Sequence, residues 1–576
     1  MNNDLSFNLV TDPWIKVLKK DYTESEVSLN ELFSNSEEYL QLAGDMKSQD
    51  LAILRLLLAI LLSVYTRFDA DDTPYSWLDL DDKWRVTRTD NDGFNSQKLK
   101  LGDTWRSLYD QKTFSKKVFD YLNLYQAKFN LFGEDPFYQV NRQVYDQNVP
   151  ENKKVAKGAG TVSVKQINRL ISESNNSPAL FSPKSGIEKD SVNNAELVRW
   201  LITYQNFTGV TDKTKVKSKD KFSVSSGWLY SINPVYIKGK TLFDTLMLNL
   251  SLVTNDSADG TNWLNSQRPV WEYDDINDYL QQRLNGVYPD NLSELYTVWS
   301  RMIHIDWQNG QPVIFSAGLP KLDSEKQFLE PMTTWRKNKD GVVYPAAKNK
   351  NNINVAMWRN FGQYIRTKED NNNEKKDKNN HRIPGVIGWI QELKMHNQIS
   401  KHTNINIVTV AMISDGNATS QSPYAEITDN MQAKAGILFD DEPMFENRWQ
   451  DKIEEEVLLA QKVVAYFYWF AKDISNIQTH SEKKKSNDDW ASRKVAQLYD
   501  ELNQPFYTWL SGLDINQDRN VKIKEWRETL NRLVATQAKN IFINATADEI
   551  IGGKEDNIFT IYNKLRRNVY VCLGLK

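Results

Sequence analysis

The chain has 576 residues, of which 40% are hydrophobic and 26% charged, a composition typical of a globular protein with two or more domains. The net charge of −3 argues against nucleic-acid binding through an overall basic surface, so such binding needs local basic groups or partner subunits. The single cysteine, Cys572, excludes an internal disulfide and a thiolate metal cluster, which fits a reducing compartment.

The N-terminal part of the chain predicts no targeting segment. The first residues are acidic and polar rather than basic and then apolar, so no signal peptide is expected. Residues 51–64 form the longest apolar run, but the run contains Arg55 and is too short to span a bilayer. We therefore expect a cytoplasmic protein without membrane association, in which residues 51–65 form a buried helix.

Two stretches near the front are rich in aromatic residues. Residues 7–17 have the sequence FNLVTDPWIKV, and their Asp12-Pro13 pair supplies a turn, because proline fixes its own φ and keeps the preceding residue out of the helical region. This pattern predicts a hairpin of two short strands around a corner that carries Trp14. Residues 129–139, FNLFGEDPFYQ, indicate by themselves only a core segment that ends in a proline turn.

Residues 210–222 form a polar segment in which lysines occupy alternate positions. If this segment is extended, the alternation places all five lysines on one side. These are Lys213, Lys215, Lys217, Lys219 and Lys221. Two interpretations remain open: a solvated mobile loop, or a finger that follows the phosphate backbone of DNA and binds it in a salt-sensitive way.

The pattern becomes helical from about residue 440. Apolar residues from Ile453 to Ile474 alternate spacings of four and three, and three further helical stretches follow. The first of these, residues 487–510, is expected to be kinked or broken at Pro505. Short connections between four helices favour an antiparallel bundle. The sequence therefore predicts an α+β protein with a mixed domain over residues 1–440 and a C-terminal four-helix bundle over residues 441–576.

The sequence contains no catalytic or metal-binding pattern that stands out. His396 and His402 are six residues apart, which does not place both on one helical face as an i, i+4 pair would be. The GGK sequence at residues 552–554 is followed by Glu555 rather than Ser or Thr, so it is not a P-loop. There is no Gly-x-Ser-x-Gly elbow. We expect a binding protein rather than an enzyme, with no cofactor and no bound metal.

Residues 7–17 and the PFYQ sequence at residues 136–139 resemble two landmarks of the large, CasA-type subunit of the type I-E CRISPR surveillance complex, Cascade. The resemblance implies a non-catalytic subunit that recognises the protospacer-adjacent motif in duplex DNA, helps start target unwinding and helps recruit a separate helicase-nuclease. It implies as partners the other Cascade subunits, the guide CRISPR RNA and the target double-stranded DNA. The alternatives are a structural scaffold that never reads DNA and an enzyme such as a nuclease.

Members of this family read the motif mainly from the minor groove with a lysine, a glycine-rich loop and an inserted glutamine wedge. The minor groove presents a degenerate pattern, so readout there is permissive, and a wedge unstacks a base step. By resemblance, the lysine corresponds to Lys326, nine residues before Trp335. The glycine loop corresponds to residues 207–210, which include Thr208 and Gly209.

The resemblance also implies roles for three further segments. The wedge corresponds to residues 415–422, where Asn417, Thr419 and Gln421 remain open as candidates. Phe181 matches an aromatic residue that family members place against the guide RNA or a neighbouring subunit. The five lysines at residues 213–221 follow the glycine loop and are expected to hold the backbone of the flanking duplex. Some relatives carry a cysteine cluster that resembles a zinc site, and its absence here predicts no structural zinc.

Overall fold

The computed structural model describes most of the chain, in two compact units. The described residues are 6–90, 92–158, 160–170, 184, 188–207, 209, 213–223, 226–253, 267–325, 328–365, 381–414, 423–444, 447–479, 485–552 and 557–575. The first unit comprises Met1–Ile353, Pro384–Ile390 and Val408–Thr428, and the second comprises Asn354–Ile383, Gln391–Ile407 and Asp429–Lys576. Both helices and strands occur, so the α+β class predicted from the sequence is confirmed.

The strands are short and mostly antiparallel. In chain order they are β1 (Ile15–Lys19), β2 (Glu24–Val27), β3 (Tyr39–Leu42), β4 (Leu78–Leu80), β5 (Val86–Thr89), β6 (Val235–Lys238), β7 (Arg301–Gln308), β8 (Gln311–Gly318), β9 (Trp335–Lys337), β10 (Val343–Pro345), β11 (His381–Arg382), β12 (Asn404–Ser414) and β13 (Pro423–Lys434). Hairpins join β4 to β5, β7 to β8 and β9 to β10, and β12 lies between β6 and β13.

The N-terminal sheet corrects the hairpin predicted for residues 7–17. Residues 8–12 form a turn instead of a strand, because the Asp12 carboxylate accepts a hydrogen bond from the Asn8 N–H at 2.6 Å. β1 pairs with β2 and β3 in the order β2-β1-β3. Trp14 is fully buried at this corner, and its indole N–H donates to the Leu9 carbonyl at 3.0 Å. The turn was predicted correctly, but the strand predicted before it does not pair with β1; β2 and β3 do.

The two stretches that carry the family resemblance lie against each other. Asn8 and Asn130 form an isolated antiparallel bridge. On either side, the Leu9 N–H donates to the Phe129 carbonyl and the Leu131 N–H donates to the Phe7 carbonyl, both at 2.9 Å. Segments far apart in the sequence therefore form one local structure at the N-terminal end of the first unit.

The helix Lys47–Tyr65 forms the centre of the first unit and confirms the buried helix expected over residues 51–65. Among the described helices, it alone is long and apolar enough to cross a membrane by length and composition. Its apolar part is buried entirely inside the protein. The remaining helices of this unit are Leu29–Ser34, Phe94–Gln111, Lys116–Leu124, Arg142–Asn148, Val164–Ile167, Asn194–Phe207, Leu242–Asn249, Ile276–Leu284 and Leu292–Tyr296.

The second unit is mainly helical. Its helices are Phe361–Tyr364, Ala435–Leu438, Trp449–Thr479, Lys485–Ser511, Arg519–Ile543, Ala547–Ile551 and Ile558–Leu573, and Gly385–Met395 belongs partly to each unit. Phe506 stacks on Trp358 at 4.4 Å and meets Trp526 edge-on at 5.1 Å. The helix that contains Pro505 continues through it without a break. The C-terminal region is helical as predicted, and the domain boundary near residue 440 stays a prediction.

Candidate nucleic-acid interface

Residues 213–223 lie on the surface of the first unit; residues 213–217 are extended, and a bend follows at residues 219–220. The Gly318 N–H, at the end of β8, donates to the Thr214 carbonyl at 2.9 Å, and the Val216 N–H donates to the Gly318 carbonyl at 3.2 Å. Thr214 and Val216 are buried, whereas the lysines beside them are exposed. The alternation expected from the sequence is therefore present over residues 213–217.

All five lysines of this segment are exposed to solvent. Within the described part of the chain, none of them pairs with a carboxylate, although Asp220 lies in the same segment. The Lys215 ammonium donates to the Phe222 carbonyl at 2.6 Å, and the Lys217 ammonium donates to the Gln147 carbonyl at 3.2 Å. Because these acceptors are neutral, the segment produces a local positive potential on a chain whose net charge is −3.

A cavity of about 440 Å³ lies where this segment ends. One wall, the first, consists of Ser223, Ser226, Gly227, Trp228 and Ile232, and the second wall consists of residues 321–324. The Lys321 N–H donates to the Ser223 carbonyl at 3.4 Å and joins the two walls. Between the walls, the cavity presents serine hydroxyls, two indole rings and charged groups, from Ser223, Ser226, Ser300, Ser324, Trp228, Trp299, Arg283, Lys321 and Asp323. The rest of the lining is mostly apolar, from Ile232, Val298, Leu322 and Pro345, so the cavity combines hydrogen-bonding groups with apolar surface, as ligand sites commonly do.

Arg283 holds one side of this cavity in place. It is buried, and its guanidinium donates to the Trp299 carbonyl at 2.7 Å and to the Pro320 carbonyl at 2.8 Å. These bonds connect the irregular segment before β7 with the residue that precedes the second wall. Nearby, the pKa of Glu294 is raised to about 7, mainly by burial and also by the neighbouring charge of Asp290, while the charge of Arg283 opposes the shift.

Glu330 ties the first wall to the central helix. Its fully buried carboxylate accepts two hydrogen bonds from the Arg55 guanidinium, at 2.9 and 3.0 Å. It also accepts one from the Trp228 indole at 2.9 Å and one from the Met332 N–H at 3.1 Å. Because Trp228 belongs to the first wall, a bidentate, fully desolvated ion pair holds that wall against the central helix.

Gly227 permits a close contact that sequence reasoning missed. A Cβ at this position would lie 2.1 Å from the carbonyl oxygen of Asn206, near the end of the helix Asn194–Phe207. No side chain fits at that distance, so only glycine allows the first wall to pack there. The obstructing carbonyl belongs to a distant segment, so no local pattern in the sequence marks this contact. The predicted Gly209 is buried, and its role at DNA stays a prediction.

Several predicted site residues lie outside the described residues. These are Lys326, Thr208, Phe181, Asn417, Thr419 and Gln421. The structure does describe residues that flank two of these segments. Ser324, two residues before Lys326, lines the cavity. β12 ends at Ser414 and β13 begins at Pro423, so the three wedge candidates belong to the connection between two paired strands.

The described titratable side chains form no cluster suited to metal binding. No group of three or more His, Cys, Asp or Glu residues among them could hold a metal ion. His304 is largely buried; its Nδ1 lies 2.9 Å from the Val140 carbonyl, and burial lowers its pKa. His402 lies 3.6 Å from the Asp514 carboxylate on the second unit. The arrangement described above is suited to binding and positioning.

Comparison with known proteins identifies one family. The sequence model of the family described as CRISPR-associated protein Cse1 matches residues 8–537. A protein of Thermus thermophilus described as CRISPR-associated protein CasA/Cse1 is 25% identical over 269 residues. That alignment covers 46% of this chain and 42% of the relative, so it spans less than half of the relative's length.

Solved structures share the fold over the whole chain. The crystal structure of Thermobifida fusca Cse1 matches with a TM-score of 0.75 at 20% identity, over 100% of this chain and 99% of that chain. A chain of a structure titled CRISPR RNA-guided surveillance complex matches with a TM-score of 0.60 at 13% identity, over 98% of this chain and 99% of that chain. At these identities, the likeness shows a common fold.

Proposed function

Because the chain belongs to the CRISPR-associated protein Cse1 family, we propose that it is a non-catalytic subunit of a type I-E CRISPR surveillance complex. In this role it recognises the motif that flanks the target in duplex DNA, helps start unwinding and helps recruit the helicase-nuclease. Its partners are the other Cascade subunits, the guide CRISPR RNA and the target duplex, in the cytoplasm. The shared fold with a chain of an RNA-guided surveillance complex supports the subunit role.

The observation that supports DNA recognition is the segment of five exposed lysines, residues 213–221, that leads into the cavity. Each ammonium group that meets a phosphate releases counterions, which gives sequence-independent affinity and strong salt dependence. Such contacts position a duplex, whereas specificity requires groups that reach the base edges. In this proposal, the lysines at residues 213–221 hold the backbone of the flanking duplex, and the cavity walls support the segments that read it.

The motif readout falls on the residues that the family resemblance singled out. In this proposal, Lys326, Thr208 and Gly209 face the minor groove, and the connection between β12 and β13 supplies the wedge, through Asn417, Thr419 or Gln421. Insertion of a wedge costs a few kcal/mol of stacking energy, which pairing between guide RNA and target strand offsets. Phe181 contacts the guide RNA or a neighbouring subunit.

The four long C-terminal helices form an antiparallel four-helix bundle in this proposal. Each contributes a row of buried apolar residues, among them Phe467, Leu498, Leu530 and Leu565. The helix Trp449–Thr479 contacts the other three, as the central member of such a bundle does. A rigid helical region of this kind suits attachment to neighbouring subunits.

A binding titration with the guide-loaded complex tests the DNA role. The complex is assembled with the wild-type chain, with Lys326→Ala, and with a variant in which the five lysines are changed to Gln. The target duplexes carry randomised flanking motifs, and the salt concentration is varied. We expect the five-lysine variant to lose affinity for every flanking sequence. The slope of log affinity against log salt concentration should become smaller by about 0.9 for each lost phosphate contact. We expect Lys326→Ala to lose flank preference.

A control removes two paired lysines from the same unit. Lys16 and Lys112 form ion pairs with Asp45 and Asp244, at 2.8 and 2.6 Å. Their replacement by Gln lowers the net charge without removing an unpaired cation, so the salt slope should stay unchanged. Unchanged affinity and flank preference in both test variants would contradict DNA recognition and leave the scaffold role as the function.

A further inference from the structure

A second basic surface lies in the second unit, and the proposed function does not use it. Residues 529–543, in the second half of the helix Arg519–Ile543, contain no acidic residue, and neither does the helix Ile558–Leu573. Together they carry five basic residues: Arg532, Lys539, Lys564, Arg566 and Arg567. In a chain with 75 acidic and 72 basic residues, this is a strong local excess of positive charge.

A groove of about 420 Å³ lies between these two helices. Its floor is apolar, and Ala535 and Ala538 contribute small side chains that leave room above them. Asn531 stands on one side of the groove. The other side carries Asn563, Arg566, Arg567 and Tyr570. The groove therefore combines two guanidinium groups, two amides and one aromatic ring above an apolar floor.

The spacing of these residues places them in rows on one helix face. Asn563 and Arg567 are four residues apart, and so are Arg566 and Tyr570, so each pair consists of neighbours on successive turns. Tyr570 is 47% exposed, which leaves its ring accessible. The Arg566 guanidinium lies 5.9 Å from the Tyr562 ring. In the described part of the chain, neither Arg566 nor Arg567 pairs with a carboxylate, so both charges are uncompensated.

These groups match the chemistry of a single nucleic-acid strand. Guanidinium groups bind phosphate oxygens in a bidentate manner, and amides donate to and accept from base edges. An exposed tyrosine stacks on a base whatever its sequence. A duplex keeps its base faces inside the stack, so only an unpaired strand offers phosphates and base faces together. We propose that this groove binds a single nucleic-acid strand, with Arg566 and Arg567 on its phosphates and Tyr570 against a base.

The proposal is tested with the full-length chain and a fluorescein-labelled oligo(dT) strand, by fluorescence anisotropy over a series of KCl concentrations. We expect Arg566→Gln/Arg567→Gln to reduce the slope of log affinity against log salt by about 1.4, which is about 0.7 for each of two phosphate contacts. We expect Tyr570→Ala to weaken binding about tenfold, with the slope unchanged, because stacking involves no counterion. Arg566→Lys/Arg567→Lys keeps both charges and should retain the slope.

A matched control removes two cations from the acid-paired half of the neighbouring helix. Lys522 and Lys524 lie 2.8 and 3.8 Å from the carboxylates of Glu525 and Glu528. Lys522→Gln/Lys524→Gln makes the same change in net charge and should leave the slope unchanged. Thermal unfolding followed by circular dichroism establishes that each variant is folded.

Two results would overturn the proposal. If the arginine variant and the lysine control weaken binding equally, the effect comes from net charge and not from the groove. If labelled polyglutamate of matched length binds more tightly than oligo(dT), and this binding depends on Arg566 and Arg567, the groove accepts an acidic protein segment instead. No flanking motif enters this assay, so its outcome is independent of motif recognition by the first unit.

Discussion

The buried ion pair between Arg55 and Glu330 predicts how strongly the first wall of the cavity is held to the central helix. Replacing Glu330 with Leu leaves the Arg55 guanidinium charged and fully buried without a counter-ion. Breaking a buried pair from one side costs about 3–5 kcal/mol. The change also removes the acceptor for the Trp228 indole and the Met332 N–H. We therefore expect Glu330→Leu to lower the free energy of unfolding by about 5 kcal/mol.

Removing both charges should recover most of this loss. A buried pair replaced by apolar residues of similar size is often neutral in stability. In Arg55→Met/Glu330→Leu, two donors remain without an acceptor, at about 1 kcal/mol or more each. We expect the double variant to be about 2 kcal/mol less stable than the wild type. Adding Trp228→Phe removes one of these donors and should recover about 1 kcal/mol.

Urea denaturation followed by far-UV circular dichroism measures each step, and the double-mutant cycle gives the coupling energy between the two side chains. We expect at least about 3 kcal/mol of coupling for the buried pair. Lys83 and Asp274 form a matched exposed pair at 2.6 Å, with side chains 47% and 56% exposed. Solvent screening should keep their coupling below about 1 kcal/mol. Equal coupling for the two pairs would refute the reasoning from burial.

Three further predictions concern single positions of the first unit: Glu294, Gly227 and Gly388. Because the pKa of Glu294 is raised to about 7, the folded state binds more protons than the unfolded state between about pH 4.3 and pH 7. Stability should therefore fall as the pH rises through this range, by up to about 1.4 kcal/mol per pH unit. Urea denaturation of Glu294→Gln should show that this part of the slope is lost, and an unchanged slope would exclude Glu294 as its source. Gly227→Ala should destabilise by about 1–3 kcal/mol, because its Cβ would lie 2.1 Å from a carbonyl oxygen. Gly388→Ala adds a Cβ in open space inside a helix and should stabilise the protein by up to about 1 kcal/mol. Thermal unfolding compares Gly227→Ala with Gly388→Ala. If both variants shift the unfolding midpoint in the same direction, the steric argument is contradicted.

Local patterns in the sequence were enough for the features that depend on neighbours in the chain. The apolar run at residues 51–65 predicted the buried central helix. The alternating lysines indicated one exposed side if the segment is extended, and the structure has this alternation over residues 213–217. The turn at Asp12-Pro13 followed from the conformational limits of proline. The net charge of −3 excluded an overall basic surface and predicted that any nucleic-acid binding depends on local basic groups or partner subunits.

Contacts between distant parts of the chain were decided only by the tertiary structure. The hairpin predicted for residues 7–17 was wrong because its first half bonds to residues 129–131 instead. The sequence likewise did not distinguish Glu330 from a solvated carboxylate, because only burial beside Arg55 and Trp228 gives it its role.

Two other features also depend on contacts between distant residues. The need for glycine at position 227 arises from the Asn206 carbonyl, which no local pattern reveals. The basic groove exists only because two helices bring their acid-free faces together. The sequence by itself determined periodicity, turns and the family; the tertiary structure decided which groups meet, since the energies of burial and ion pairing depend on contacts in space.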